Sequence, residues 1–481
     1  QFIQSHPGLV GGLLWEWCDH GIYKGKAQDG RSIFYYGGDH GEWPNDGNFC
    51  MDGLVYPDRR PHTGLLEFKN ICRPARVTHY DQSTGTLTLH NYMDFVDLTD
   101  YATLSYELNC DGQVVSAGSV PFPGGFRLPP HADGTLPLPL DVPAKGKCFV
   151  NICYHCKQDS ALIKADHLLG FDEIPLQNSD PRNQDAVQLL GRPAGDGLIT
   201  IRETDRMLVL SCEQFTYVFN KLTGLFDKMT FANEPLLDQP MGFNVWRAPT
   251  DNDRKLKADW YAAHYDHAAT NAYHTEYTVT ASGVTLHTHV GIAAICVQKF
   301  LDLDVTWTVA NNGSVDLALH AQRNTVFPEL PRFGLRLFLP QEMSQVNYYG
   351  MGPMECYCDK HHAASHNSYT ATVWQLHEDY IRPQENGSHF DCDYVMLAGD
   401  AVRLTAVGTQ PFSFNASHYT QEELTRKAHN YELEPCSSTV LCLDYAQNGI
   451  GSESCGPRLL EQYRLDDATF NFGLRLFPEK K

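Results

Sequence analysis

The chain has 481 residues, of which 58 are acidic and 37 basic, so its formal net charge at pH 7 is −21. A charge of that sign repels phosphate backbones and anionic membrane surfaces, which argues against nucleic acid as a partner. No apolar run reaches the roughly 18 to 20 residues that a membrane helix needs, and no signal-peptide pattern is present. We therefore expect a cytoplasmic protein, long enough for about three domains.

The cysteine pattern is typical of a reducing compartment, because 15 thiols are spread over a long chain in an odd number. Cys153 and Cys156 form a CxxC, for which half a zinc site or a redox pair is one interpretation. No second CxxC or pair of histidines follows at zinc spacing, and the flanking residues nearly alternate between apolar and polar. The favoured interpretation is a strand with incidental thiols.

The first 75 residues have the pattern of one βα unit. Residues 8–17 (GLVGGLLWEW) are a nearly continuous apolar run, which predicts a strand buried on both faces. The chain has no initiator Met before this run, which suggests a fragment or a processed product. A helix is predicted between Pro61 and Pro74, after a loop (37–62) rich in glycine and acidic residues. Loops that follow strands in α/β folds lie at the functional face, so this loop is predicted to line a site.

The hydrophobic period changes to two from residue 75 to residue 178, which predicts short strands. Asp111-Gly112 is a strong hairpin signal between two of them. These strands predict a small antiparallel sandwich of immunoglobulin type. Residues 178–197 are predicted to be an exposed linker or a long surface connection. Short strands then continue to the end, interrupted by one predicted helix at 254–266, which indicates a large two-sheet assembly.

Trp15 and Trp17 lie two residues apart, on one face of the predicted strand. An exposed indole is a good platform for the apolar face of a sugar, but a core position is an equally good interpretation from these residues alone. Glycoside hydrolysis needs two carboxylates. Glu16 would point to the opposite face from both indoles, so we do not nominate it as one of them.

The loop after the predicted strand carries several carboxylates that are candidate ligands for a hard cation. They are Asp39, Glu42, Asp46 and Asp52. Their spacing matches no self-contained cation loop, so an ion here would need ligands from elsewhere. A second dense motif, RAPTDND at 247–253, could also hold ligands. An arginine paired with an aspartate at a sheet edge or domain interface is its more common explanation.

Five motifs occur in the same order as in family 2 glycoside hydrolases of the large bacterial β-galactosidase type: GGLLWEWCDHG, YGGDHGEWPNDGNFCMDGLVYPDRRPH, WRAPTDND, GMGPMECYCDK and RPQENG. The chain resembles the C-terminal portion of these enzymes over essentially its whole length. The resemblance implies a mainly β fold in three parts. Residues 1–75 would be the last strand, loop and helix of a (β/α)8 barrel, 76–184 an immunoglobulin-like linker sandwich, and 185–481 a large C-terminal β-sandwich.

The resemblance also implies roles for individual positions. Trp15 falls where the family has a wall of the galactose pocket. The carbonyl of Phe49 and the side chain of Asp52 fall where the family binds a sodium ion that contacts the sugar, and the best-known member has Asn at the latter position. Asn45 matches a position associated with magnesium, most of whose ligands lie upstream. Cys455 replaces an aromatic platform for the leaving group, which should weaken stacking there.

Both catalytic glutamates of the family lie on earlier barrel strands, and none of their motifs occurs in this sequence. The predicted function is the C-terminal portion of a retaining β-galactosidase acting on a β-galactoside such as lactose, inactive alone and completed by an N-terminal barrel portion or a partner chain. An oligomer is expected. The alternatives are a noncatalytic carbohydrate-binding or assembly module, the small chain of a two-chain galactosidase, a family 2 enzyme of other specificity, and a degenerate paralogue.

Overall fold

The computed structural model describes residues 3, 6, 8–176, 180–451 and 453–481. Strands dominate this part of the chain, as the predicted mainly β class requires. The helices between residue 8 and the C-terminus are short: α1 Thr63–Ile71, α2 Leu98–Tyr101, α3 Gln184–Leu190, α4 Leu256–Ala262 and α5 Gln421–Arg426. None of the helices in the described part is long and apolar enough to cross a membrane.

The predicted buried strand at residues 8–17 is wrong. Its side chains face solvent, with Val10 and Leu13 fully exposed, and only its end pairs with another segment. The amide of Leu54 donates to the carbonyl of Glu16 at 2.9 Å, and Cys18 forms a single parallel bridge with Val55. A barrel strand is buried by neighbours on both edges and by helices outside. The described chain provides only the segment near Val55, so the apolar run stays uncovered.

The segment after this run forms a small ribbon and then the predicted helix. Strands β1 (Ile22–Lys26) and β2 (Ser32–Tyr35) pair antiparallel. Helix α1 lies within the predicted bounds but is oriented unusually, because it buries Thr63 and Asn70 while Phe68 and Ile71 are exposed. Asn70 Nδ2 donates to the carbonyls of Phe171 and His362. The polar side of α1 therefore docks on the rest of the chain, and its apolar side remains open.

The predicted immunoglobulin-type sandwich is confirmed. Its strands are β3 Ala75–Asp81, β4 Thr86–Asn91, β5 Ala102–Cys110, β6 Gln113–Ser119, β7 Asp133–Pro137, β8 Cys148–Cys156 and β9 Leu168–Pro175. They form sheets of order β3-β4-β7 and β6-β5-β8-β9 around one apolar cluster. Asp111 and Gly112 have φ values of 53° and 80°, the left-handed pair that a tight hairpin needs. Cys153 and Cys156 lie in β8 as free thiols, as predicted.

The predicted exposed linker or long surface connection is confirmed only in part, and Asn178 and Ser179 lie outside the described residues. Residues 191–197 are exposed or half-buried, as predicted, but the preceding segment is not an extended connection. The segment folds into α3, whose first amides are capped by the side chain of Asn183. Arg182 Nε lies 2.7 Å from the fully buried Asp393, and Ala186 packs in a cluster with Tyr349. These contacts join residues that are roughly 160 to 210 positions apart, which no local pattern of turn-forming residues indicates.

The remaining strands form the predicted two-sheet assembly. They are β10 Thr200–Glu203, β11 Met207–Ser211, β12 Phe215–Asn220, β13 Leu225–Phe231, β14 Glu234–Pro235, β15 Gln239–Asn244, β16 Ala269–Thr280, β17 Gly283–Ala293, β18 Leu301–Ala310, β19 Val315–Arg323, β20 Arg332–Pro340, β21 Gln345–Gly352, β22 Ser365–Thr372, β23 Ser388–Ala398, β24 Val402–Ser417, β25 Ser438–Gln447 and β26 Thr469–Lys480. The first five form one sheet and the other twelve a second. Helix α4 lies within the predicted helix, and α5 was not predicted.

A buried histidine joins the two sandwiches. His366 of β22 contacts Glu173 of β9 through Nδ1 and Asp391 of β23 through Nε2, each at 2.7 Å. Its ring stacks on Phe149 with centroids 4.3 Å apart. Burial alone would lower the pKa of His366, but the hydrogen bonds that its ring donates to both carboxylates outweigh burial and raise the pKa to about 9. The imidazolium thus forms ion pairs that connect the two sandwiches.

Candidate functional site

The loop at 37–62 is fixed by its own backbone and by the large sandwich. The amide of Gly37 donates to the carbonyl of Gly47 at 3.1 Å, and a Cβ at Gly37 would lie 2.6 Å from that oxygen, so only glycine fits there. Asp39 Oδ2 accepts from the amide of Tyr36 at 2.8 Å and contacts His429 Nε2 at 2.7 Å. The turn residues of this loop therefore hold it against the C-terminal region.

A second segment, residues 247–253, faces this loop. Arg247 is fully buried and contacts both carboxylate oxygens of Asp253, at 3.2 and 2.6 Å. This confirms the interpretation of RAPTDND as an arginine–aspartate pair. The pair fixes the turn that contains Asp251, whose carboxylate accepts from Asn48 Nδ2 at 2.7 Å. The motif thereby connects the large sandwich to the loop.

A third segment, residues 449–456, closes the site. The carboxylate of Asp359 accepts from the amides of Ile450 at 3.0 Å and Gly451 at 2.8 Å. The carbonyl of Gly451 in turn accepts from Asn252 Nδ2 at 2.7 Å. The loop that carries Cys455 is therefore tied to Asp359 and to the segment at 247–253. Ser452 lies outside the described residues.

These segments and the start of the chain surround one cavity of about 1050 Å³. Its lining includes Trp15, Phe49, Asp52 and Cys455, so the structure brings together four of the five predicted site residues. Their roles stay predictions. The core interpretation of the tryptophans is wrong, because Trp15 is 82% and Trp17 61% exposed.

Asp52 is the polar centre of the cavity wall. Its Oδ1 is enclosed and has no hydrogen-bond partner among the described residues. Partial burial raises the pKa of Asp52, and the nearby carboxylate of Glu16 raises it further. Glu16 contacts His20 at 3.0 Å and is not part of the cavity lining, so it lies behind Asp52. An enclosed carboxylate oxygen without a donor is suited to a hydroxyl group or a cation.

The predicted ion ligands differ in how well they fit an ion. Among the described residues, no backbone amide donates to the carbonyl of Phe49, so this oxygen and Asp52 Oδ1 both fit a hard cation. Asn45 fits poorly, because its Oδ1 accepts from Gly47 and its Nδ2 donates to the carbonyl of Glu42, each at 3.0 Å. The described residues contain no group of three or more His, Cys, Asp or Glu side chains that could hold a metal.

Sequence reasoning did not predict that several further residues line this cavity, although Asp251 and Asn252 belong to the RAPTDND motif. These further residues are Asn48, Asp251, Asn252, Arg254 and Lys257. The guanidinium of Arg254 lies 5.8 Å from the centre of the Phe49 ring, which brings positive charge to the cavity beside the acidic loop. The density of polar residues in RAPTDND was the available signal, but the sequence gives no indication that this motif meets the loop some 200 residues away.

Known families match the chain in three parts. The Glycosyl hydrolases family 2, TIM barrel domain matches residues 1–77, and Beta-galactosidase, domain 4 matches residues 87–177. Beta galactosidase small chain matches residues 211–476, more than half of the chain. The chain belongs to the β-galactosidase small-chain family. Together the three matches identify it as a C-terminal portion of a family 2 β-galactosidase, as the order of motifs predicts.

Three curated relatives of this β-galactosidase portion, each named β-galactosidase, match nearly all of it. The protein of Actinobacillus pleuropneumoniae is 40% identical over 100% of this chain and 46% of its own length. The protein of Staphylococcus xylosus is 35% identical over 98% of this chain and 47% of its own length. The protein of Pseudoalteromonas haloplanktis is 27% identical over 99% of this chain and 46% of its own length. The chain spans about half the length of the curated relatives it matches. A solved galactose mutarotase-like protein from Lactobacillus casei covers 57% of this chain and 100% of its own at 10% identity, with a TM-score of 0.33, which supports no inference.

Proposed function

We propose that this chain forms one side of the galactoside pocket of a retaining β-galactosidase whose two catalytic glutamates belong to the preceding half. The observation that carries the proposal is the meeting of Trp15, Phe49, Asp52 and Cys455 at one cavity. Retaining hydrolysis needs a nucleophile and an acid/base about 5 Å apart. The sequence contains neither motif, so this half binds and orients the sugar. The proposed substrate is a terminal β-D-galactoside such as lactose, and the proposed compartment is the cytoplasm.

Each cavity residue has a task in this proposal. The exposed indole of Trp15 packs on the C–H face of the galactosyl ring. Asp52 accepts a sugar hydroxyl and, with the carbonyl of Phe49, would hold a sodium ion that neutralises its charge and fixes that hydroxyl. Cys455 lies on the side of the leaving group and offers little stacking surface. Because Asn45 does not fit as a magnesium ligand, no task is derived from that ion.

The uncovered apolar surface supports completion by another part of a barrel. Leu13 and Leu14 are exposed at the start of the chain, as are Phe68 and Ile71 on α1. A strand and a helix at the open edge of a (β/α)8 barrel expose these positions until the preceding units cover them. The preceding half of the protein, or a separate chain that supplies it, is the proposed partner. We also propose an oligomeric enzyme.

The pocket assignment is tested by a chimera in which this chain replaces the matching half of the A. pleuropneumoniae relative. We expect Trp15→Ala to lower kcat/KM for a nitrophenyl β-galactoside by roughly 100-fold, because the sugar loses its platform. Trp43→Ala is the matched control, since Trp43 is 87% exposed but outside the cavity lining. Equal losses in both variants, or none in Trp15→Ala, would refute the assignment.

A further inference from the structure

We propose a second small-molecule site in the large sandwich, built for a neutral hydroxyl-rich ligand about the size of a monosaccharide. The proposal goes beyond the galactoside pocket and does not depend on it. The site is a cavity of about 240 Å³ bordered by strands β23, β24 and β25 and by residues 357–358. It shares no lining residue with the cavity that contains Trp15 and Asp52. A space of that size accommodates far more than a single water.

A buried acceptor without a donor lies in the wall of this cavity. Gln447 is 8% exposed, and its Oε1 is enclosed and without a partner among the described residues. Its Nε2 donates to Ser388 Oγ at 3.0 Å and to Asp444 Oδ2 at 3.2 Å. Asp444 is bound at both oxygens by the fully buried Arg332, so it acts as an acceptor and fixes which end of the Gln447 amide faces it.

An enclosed amide oxygen without a donor lowers the stability of the folded chain, because the oxygen has lost its hydrogen bonds to water. Because the oxygen is enclosed, a ligand hydroxyl can donate to Gln447 Oε1 only after a small shift of this side chain toward the cavity, and the new hydrogen bond then offsets that loss of stability. Ser413, on the neighbouring strand β24, also lines the cavity and offers a hydroxyl that can donate or accept. The polar side of the site therefore matches a ligand with more than one hydroxyl group.

The other walls are aromatic. Phe390, Phe412 and Tyr445 line the cavity, and Tyr445 is held in place by stacking on Phe470, with centroids 4.5 Å apart and planes within 10°. An aromatic face beside hydrogen-bonding groups suits a ring that presents C–H groups on one side and hydroxyls on its edge. Sugars and cyclic polyols have this chemistry.

The charges around the site select against anions. The lining contains no lysine, arginine or histidine, and its one ionisable carboxylate is Asp391. That group already contacts His366 Nε2 at 2.7 Å, so its charge is compensated on the side facing the sandwich interface. Asp391 would repel a negatively charged ligand, and no lining residue offers that ligand a cation to pair with. The preferred ligand is therefore neutral.

The test is a titration of the 481-residue chain carrying Asp52→Ala, which disables the galactoside pocket and leaves this site intact. The probes are D-galactose, D-glucose and D-galacturonate, followed by ligand-observed NMR and calorimetry. We expect saturable binding of at least one neutral hexose, with galacturonate at least about tenfold weaker. In the same background, Gln447→Leu and Ser413→Ala should each weaken hexose binding by about tenfold or more.

The same titration can overturn the proposal. Absence of saturable hexose binding to the Asp52→Ala chain would refute it, as would binding that survives Gln447→Leu and Ser413→Ala unchanged. Circular dichroism and thermal unfolding establish that the variants are folded, and Ser413→Ala guards against a folding defect in Gln447→Leu because it removes only one hydroxyl oxygen. If Asp52→Ala abolishes the activity of the chimera described above, that result concerns the galactoside pocket and does not test the second site. The two proposals can therefore fail independently.

Discussion

The carboxylate of Asp359 accepts a hydrogen bond from the amide of Gly451 at 2.8 Å and a second from Ile450 at 3.0 Å. Two amides that converge on one carboxylate fix the path of a loop more firmly than one, since charged acceptors make stronger hydrogen bonds. The loop carries Cys455 to the wall of the large cavity. Asp359 is therefore a positioning residue for the side of the site that we assign to the leaving group.

Replacing Asp359 by alanine should release this loop. We expect the amides of residues 450 and 451 to exchange hydrogen at least about tenfold faster, because both lose their acceptor. Asp359→Asn keeps one side-chain oxygen and should give an intermediate effect. Unchanged protection in Asp359→Ala, measured by hydrogen exchange with mass spectrometry, would show that other contacts hold the loop.

The ion pairs of His366 should make the free energy of unfolding decrease as the pH rises. Its pKa is raised from 6.5 to about 9 in the folded chain, where it faces Glu173, Asp391 and the ring of Phe149. A raised pKa contributes stability that is complete below about pH 6.5 and is lost as pH rises through about 9. His366→Phe keeps a ring for stacking but leaves two carboxylates without their partner.

We therefore expect His366→Phe to be destabilised by on the order of 2 kcal/mol at pH 6, and by clearly less above pH 9. The measurement is thermal unfolding of both chains across this range. His320→Phe is the control, because His320 is an exposed histidine on strand β19. A difference in stability between wild type and His366→Phe that stays constant with pH would contradict a charged His366 between the two carboxylates.

Asp52 should be destabilising in its ionised form. Partial burial and the Glu16 carboxylate raise its pKa, so the folded chain favours the protonated form and loses stability as pH rises past that pKa. Asp52→Asn is expected to raise the unfolding temperature at pH 7 and to have a smaller effect at pH 4, in sodium-free buffer. Asp46→Asn, at an exposed position of the same loop, should change little. A lower unfolding temperature for Asp52→Asn at pH 7 would contradict the claim that burial and Glu16 destabilise ionised Asp52.

The apolar side of helix α1 should drive self-association of the chain on its own. Phe68 and Ile71 are 38% and 37% exposed, and the apolar run that precedes the loop is uncovered as well. Phe68→Ser with Ile71→Ser should reduce association in sedimentation experiments and also destabilise the chimera, in which the barrel covers this side. Phe95→Ser, at a 94% exposed position in the immunoglobulin-type sandwich, is the control. Equal association of both variants would mean that another surface is responsible.

Local signals predicted much of this fold. The Asp111-Gly112 turn needs only its two left-handed residues, and the alternation in β8 needs only a sheet with one buried face, so both could be read directly. The predictions for residues 8–17 and for the segment around α3 were wrong because the conformation of both segments depends on distant neighbours. A parallel strand depends on neighbours that are distant in sequence, and α3 depends on the Arg182–Asp393 contact.

The site shows the same division. The sequence motifs, through their resemblance to a known family, identified Trp15, Phe49, Asp52 and Cys455, which the structure brings to one cavity. The meeting of Asn48 with Asp251, and of Asn252 with Gly451, joins segments about 200 residues apart. Those contacts depend on how the large sandwich folds over the loop, so only the structure reveals them.

The most direct test of the central claim is hydrolysis of a nitrophenyl β-D-galactoside by the 481-residue chain, alone and in the chimera. If this half supplies the pocket and the preceding half supplies both glutamates, the chain alone shows no turnover above buffer. The chimera then turns the substrate over with retention of configuration. Turnover by the isolated chain at rates typical of enzymes would contradict the account, because it would require both catalytic carboxylates within these 481 residues.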